Sequence, residues 1–209
     1  SSQSDSEVLL VCFIAYREKC LNILDGIFSF VIYYDDQIFA CRDHLGVKPL
    51  YYYLKESDLI IASEIKAILM YLGKCVVDKT GIKELLGLGP SLSPGKTLYK
   101  DISSLRPAHY LFYDGNDCII DRYWGLQKKP HLKSYEETVQ DVRYLVNQSI
   151  QRQLLSDVPI SCMLSGGLDS SIITALSSQY VNNISTYSID YLDQEKYFKP
   201  YDYQLTRDS

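Results

Sequence analysis

The run Ser165-Gly166-Gly167-Leu168-Asp169-Ser170-Ser171 has the residue types and spacing best suited to chemistry. Two adjacent glycines let the backbone turn tightly and leave its N–H groups uncovered. Such groups form a nest for anionic oxygens. A helix that follows would add partial positive charge at its N-terminus, about 0.3–1 kcal/mol per anionic contact. Ser165, Ser170 and Ser171 add hydroxyl donors. Asp169 would repel bare phosphate unless a magnesium ion lay between them. The combination suits magnesium pyrophosphate. A lone Gly-Gly is more often a plain turn with Asp169 or Ser170 as a helix cap; the full string in its context outweighs that reading.

The elements around the run supply that context. Val158–Leu164 is an apolar stretch of strand length, a helix is expected over about Ser170–Tyr180, and Ile184–Tyr191 is a second strand. Strand, helix, strand predicts a parallel α/β sheet. The loop is not a Walker loop, since no lysine follows the glycines. Pro94-Gly95-Lys96-Thr97 fails as one too, because its first glycine would fall at Pro90.

Upstream the pattern changes. Ile27–Tyr34 and Ile38–Arg42 read as strands around an Asp35-Asp36 turn, and Leu50–Leu54 and Leu59–Ala62 as a second pair around Lys55–Asp58. A short helix is expected over Ser63–Leu72, loop over Gly87–Lys96, and strands at His109–Tyr113 and Cys118–Arg122. Hairpins in succession predict antiparallel sheet. The polar, proline-containing stretch 125–133 is the expected linker between domains at 1–124 and 134–209. Ser134 and Glu137 have capping-box spacing, and an amphipathic helix should follow with Val139, Val142, Leu145, Val146 and Ile150 on one face.

Hydrophobic residues make up 46% of the 209 and charged residues 22%, so a packed core is affordable. A net charge of −5 without a basic cluster speaks against nucleic acid. No Cys-x-x-Cys pair occurs among the six cysteines, which read as reduced core residues. Val8–Tyr16 is apolar but far short of the ~20 residues that cross a membrane. It is preceded by acids rather than Lys or Arg, so a buried helix over about Glu7–Cys20, with Val8, Val11, Cys12 and Ala15 inward, is expected instead of a targeting segment. The cytoplasm is the expected compartment. His44, His109 and His131 read as solvated or packed.

Ser165–Ser171 resembles the pyrophosphate loop of enzymes that split ATP between its α and β phosphates, and the longer SDVPISCMLSGGLDSS resembles the glutamine-hydrolysing asparagine synthetases. LDGIFSFVIYY, ACRDHLGVKPLYY and ASEIKAIL resemble the N-terminal-nucleophile glutaminase domain of that family, although RDHLGVKPL and ASE alone are less specific, since purine-pathway amidotransferases carry similar strings. PSLSPGKTLYKDISSLRPAHYL and RYWGL resemble the segments that join the two domains. The implied fold is a partial α+β glutaminase followed by a partial α/β unit of the adenine nucleotide alpha hydrolase type. The implied reaction hydrolyses glutamine, adenylates aspartate with ATP, and delivers the ammonia to make asparagine. By resemblance Ser165, Gly166, Gly167, Asp169, Ser170 and Ser171 hold pyrophosphate, with Asp169 also on Mg²⁺, while Leu164 and Ile189 border the adenine. Asp5, in Ser4-Asp5-Ser6-Glu7, inherits contact with the glutamine α-amino group, with a helix N-cap as the equal alternative. Arg42, Asp43 and Glu64 either shape that site or form buried ion pairs at sheet ends.

The family's glutaminase starts with a cysteine whose own amine activates it. Position 1 here is Ser1, Cys12 falls in a predicted helix, and the Asn-Gly-Glu string of the oxyanion hole is absent. The second acidic loop and the lysine of the synthetase half do not occur either. The expectation is a fragment, inactive by itself, with no catalytic residue of its own. Glutamine, aspartate and ATP are the expected small-molecule partners, with neither nucleic acid nor membrane, and the resemblance leaves a homodimer open. Two alternatives stand: an ATP-dependent cyclase of the β-lactam-synthetase type, or a non-catalytic nucleotide-binding remnant.

Overall fold

The computed structural model describes residues 4–89 and 92–189. The chain divides into two compact units, Ser1–Lys128 and Lys129–Ser209.

The first unit opens with α1 (Asp5–Tyr16), which runs into a 3₁₀ helix over Arg17–Asn22. Strands β1 (Ser29–Tyr34) and β2 (Gln37–Arg42) pair antiparallel. Their turn residues Asp35 and Asp36 have φ of 46° and 58°, the left-handed pair that a tight hairpin requires and aspartate tolerates. β3 (Tyr51–Lys55) and β4 (Asp58–Ala62) form the second hairpin, followed by α2 (Ile65–Leu72) and α3 (Lys79–Leu88). β5 (Ile102–Ser104) pairs with β3, and β6 (His109–Tyr113) with β2 and β7 (Cys118–Arg122). Two antiparallel sheets result, ordered β1-β2-β6-β7 and β4-β3-β5. This is the α+β, glutaminase-type architecture expected.

Alternation along β2 sends its residues into two cores. Phe39 and Cys41 join Phe13, Cys20, Leu21 and Ile32 beneath the N-terminal helices. Ala40 joins Leu50, Leu105, Leu111 and Tyr113, with Tyr52, Leu54 and Leu59 of the second sheet packed around them.

The N-terminal helix departs from expectation. Val8 (66% exposed), Val11 (58%) and Ile14 (62%) lie outside, and the packed face is Leu9, Cys12 and Phe13. The segment is so uniformly apolar that periodicity cannot select a face. It ends as an α-helix at Tyr16 rather than Cys20. Gly87 and Leu88 belong to α3 and not to the expected loop. No described helix is long and apolar enough to cross a membrane.

The second unit is built on α4 (Tyr135–Gln153), β8 (Ser161–Met163), α5 (Leu168–Ser177) and β9 (Ser185–Tyr187). The capping box is complete: Glu137 N–H donates to Ser134 Oγ, and Ser134 N–H donates to the Glu137 carboxylate. β8 and β9 pair parallel, as the strand-helix-strand pattern requires. Both are shorter than expected, and α5 starts at Leu168 rather than Ser170. Val142 and Leu145, on the expected apolar face of α4, are 54% and 60% exposed.

Candidate functional site

The glycine loop sits at the C-terminal end of β8, the edge where α/β sheets bind ligands. Leu164 N–H donates to the Tyr187 carbonyl at 2.8 Å, and Ser188 Oγ donates back to the Leu164 carbonyl at 2.5 Å. These bonds bring Leu164 and the exposed Ile189 to the same end of adjacent parallel strands.

Gly166 has a φ of +82°, which a side chain would strain. Gly167 returns to φ −79° and serves as the N-cap of α5, without a side-chain cap. Neither Asp169 nor Ser170 therefore caps the helix; both lie in its first turn. The three serines are not equivalent. Ser165 N–H donates to Ser170 Oγ at 3.3 Å, the two hydroxyls lie 3.1 Å apart, and Ser170 Oγ donates to the Gly167 carbonyl at 3.1 Å. Ser171 enters through its amide, which donates to the Gly167 carbonyl at 3.1 Å. Ser165 and Ser170 thus brace the loop from within. Among the described residues, the amides of Gly166, Gly167 and Leu168 donate to no protein acceptor. Three unclaimed donors at one exposed helix N-terminus are the kind of group an oxyanion would need.

Asp169 is exposed in the first turn of α5. No group of three or more His, Cys, Asp or Glu that could hold a metal occurs among the described residues. One protein carboxylate, completed by phosphate oxygens and water, is a donor set that magnesium takes, so the residues present fit that ion.

The N-terminal candidates are arranged otherwise. Ser4, not Asp5, is the N-cap of α1, its Oγ accepting from Ser6 N–H at 3.3 Å. The alternative reading of Asp5 is thereby corrected: its carboxylate is exposed in the first turn. Arg42 and Asp43 do not pair. Arg42 donates to the carbonyls of Lys48, Leu105 and Gly46, each at 2.7 Å, and to Ser104 Oγ at 3.0 Å. Asp43 is 2% exposed and accepts from the amides of Leu45, Val47 and Lys48 at 3.2, 3.0 and 2.9 Å. Burial opposes its ionisation, but these amide donors outweigh burial and hold the carboxyl below its usual range. Glu64 is exposed and pairs with Lys66 at 2.5 Å. The expected buried ion pairs at sheet ends do not form: Arg42 and Asp43 bind mainly backbone, and the Glu64 pair is exposed. Burial raises Cys20 to about 11 and pushes Cys41 up as well, so both stay protonated core thiols rather than nucleophiles. Sequence reasoning missed the backbone-binding role of Arg42 and Asp43. Their adjacency to a Gly and a Pro in RDHLGVKP was the available signal.

The profile of the glutamine amidotransferase domain matches residues 1–124, and that of asparagine synthase matches residues 141–205. Asparagine synthetase [glutamine-hydrolyzing] 3 of Bacillus subtilis is 43% identical over 98% of this chain and 35% of its own length. The chain belongs to the glutamine-hydrolysing asparagine synthetase family. Among other members, asparagine synthetase B of Escherichia coli is 31% identical over 85% of this chain and 28% of its own length. Amidase chry2 of Gibberella zeae is 28% identical over 85% of this chain and 27% of its own length. The chain thus spans about a third of the length of the curated relatives it matches. Members of the family are ligases with glutamine amidotransferase activity.

Proposed function

We propose that this chain is the glutaminase-to-synthetase portion of an enzyme that makes asparagine from aspartate, glutamine and ATP. The observation that carries the reading is the open nest of Gly166, Gly167 and Leu168 amides at the head of α5, in a chain 43% identical to a glutamine-hydrolysing asparagine synthetase. In this reading the three amides and the Ser171 hydroxyl hold the β and γ phosphates of ATP, leaving the α phosphorus to the aspartate carboxylate. Ser165 and Ser170 keep the loop in shape. Asp169 holds a magnesium ion, which supplies positive charge against the departing pyrophosphate. Leu164 and Ile189 flank the adenine. Asp5 binds the α-amino group of glutamine in the other unit. The cytoplasm is the proposed compartment, and a homodimer is one assembly this reading leaves open.

The test of the synthetase reading is ATP–pyrophosphate exchange in the full-length enzyme, dependent on aspartate and abolished by Asp169→Ala. Exchange that survives Asp169→Ala would overturn the site. A second reading is amide formation on a carboxylate other than aspartate; the chain is also similar to proteins named amidase chry2 and amidase chyE, whose names do not include asparagine. Exchange that ignores aspartate and responds to a different carboxylic acid would select it.

A further inference from the structure

A cavity of about 400 Å³ lies in the first unit, between the Pro94-Gly95-Lys96 loop, β5, the start of β6 and Ile120 of β7. That volume is within the ordinary range for small-molecule sites. Its charge is unlike that of the chain as a whole. The chain carries a net −5, yet the titratable lining comprises Lys96, Arg106 and His109 with Tyr52, and no carboxylate.

Each polar group has capacity left over. The Arg106 guanidinium has no hydrogen-bond or ion-pair partner among the described residues. Its stem is laid across the loop: a Cβ added at Gly95 would stand 3.1 Å from Arg106 Nε. Lys96 donates one proton to Glu84 at 2.8 Å and keeps two. Glu84 is itself anchored by the Ser93 amide at 2.8 Å and hydroxyl at 3.0 Å, so the loop carrying Lys96 is fixed. His109 Nδ1–H donates to the Pro107 carbonyl at 2.8 Å, which leaves Nε2 as the ring's open atom. The Ser103 hydroxyl also has no partner among the described residues. Tyr52, Pro94 and Ile120 complete an apolar wall.

We infer that this cavity binds a small organic phosphate, its head group on Arg106, Lys96, Ser103 and His109, and its apolar body against Tyr52, Pro94 and Ile120. The Arg106 fork alone can occupy both oxygens of a carboxylate, so the further donors of Lys96 and Ser103 suit the third oxygen of a phosphoryl group. Nε2 can accept from a P–OH or, when the ring is charged, donate to a P–O⁻. The apolar wall calls for more than inorganic phosphate.

The experiment follows the imidazole signals of the full chain, labelled in histidine, during titration with phenyl phosphate, inorganic phosphate and benzoate. His109→Gln assigns the signal, and His44 and His131 serve as internal references. Phenyl phosphate should move the His109 signals saturably and leave the other two still. Arg106→Gln, which removes no bond within the described fold, should weaken binding about tenfold, the factor for one lost charge-assisted hydrogen bond. Lys100→Gln, a surface cation that does not line the cavity, should change nothing. No saturable movement of His109, or equal weakening by Arg106→Gln and Lys100→Gln, would overturn the site. Benzoate binding as tightly as phenyl phosphate would overturn the phosphoryl assignment, and inorganic phosphate doing so would overturn the role of the apolar wall.

Discussion

Two glycine-containing loops in this chain solve the same problem in opposite ways. In Arg42–Lys48 the backbone curls so that three amides point at one centre, and that centre is the carboxylate of Asp43. In Ser165–Ser171 the backbone also presents three amides, and no protein oxygen receives them among the described residues. The first loop carries its own anion, with Asp43 buried although Leu45, Val47 and Lys48 stay exposed; the amides of the second meet no anion among the described residues and, in the proposed reading, take one from outside. A nest therefore marks a ligand site only after its internal acceptors have been counted. Substitutions at Asp43 and Gly46 should reach the fold, and substitution at Gly167 should reach only the ligand.

The largest effect expected is at Asp43. Asp43→Ala leaves three amides without their buried acceptor and should destabilise the first unit by about 3 kcal/mol in urea unfolding. The pH dependence has a definite direction. A carboxyl held below its ordinary value contributes stability above that value, about 3.9, and loses the contribution as pH falls through the lower folded value. The wild type should therefore lose this increment only in acid below the usual carboxylate range, whereas Asp43→Ala should lack it at neutral pH. A variant as stable as the wild type at pH 7 would break the closed-loop account.

Glycines sharpen the contrast. A Cβ at Gly167 would meet only Ser165 Oγ, at 3.7 Å, and φ there is negative, so Gly167→Val should leave the melting temperature unchanged. Its methyls would occupy the nest, and Mg·ATP affinity should fall by about a hundredfold or more, which is about 2.7 kcal/mol. Equal binding by both proteins would remove the loop from the site. Gly46 should show the reverse. It has a φ of +69°, and a Cβ would stand 2.7 Å from the Pro107 ring and 3.1 Å from the Arg42 guanidinium. Gly46→Ala should cost about 2 kcal/mol of unfolding free energy, through strain, with no change in nucleotide affinity.

Much of this was legible in the residues, for identifiable reasons. β6 and β7 lie where their composition and the Asp114-Gly115 turn place them, because a short hairpin is specified locally. The glycine loop was legible because strand, Gly-Gly and helix must occur together to form it. Helix α3 was not: it contains Gly81 and Gly87, which argue against a helix on propensity. Gly81 has a tertiary reason to be there, since a Cβ would stand 2.7 Å from the Thr97 carbonyl, and only glycine lets that segment pass. β5 is three residues long and is made by its pairing with β3, which no local pattern announces. The role of Asp43 was hidden because its partners are amides, which every sequence has.

The smallest effect comes from the second unit, where two helix N-termini can be set against each other. At α4 the orphan amides are taken up by the capping box of Ser134 and Glu137. At α5 the cap is Gly167, which has no side chain to offer, and the amides stay open. Ser134→Ala removes one acceptor, that of the Glu137 amide at 3.2 Å, and exposes the first turn to fraying. Loss of a serine cap costs about 1 kcal/mol, and the amide here is exposed and can turn to water, so the effect should be no larger. Unfolding by urea should show the loss as a shifted midpoint with an unchanged slope, because the surface exposed on unfolding is the same. The affinity for Mg·ATP should not change, since Ser134 serves α4 and the nest belongs to α5. If Ser134→Ala weakened nucleotide binding as much as Gly167→Val does, a filled helix end would be contributing to the site as strongly as an open one. The distinction between amides that the protein has already satisfied and amides left for a ligand would then fail in the unit where it matters most.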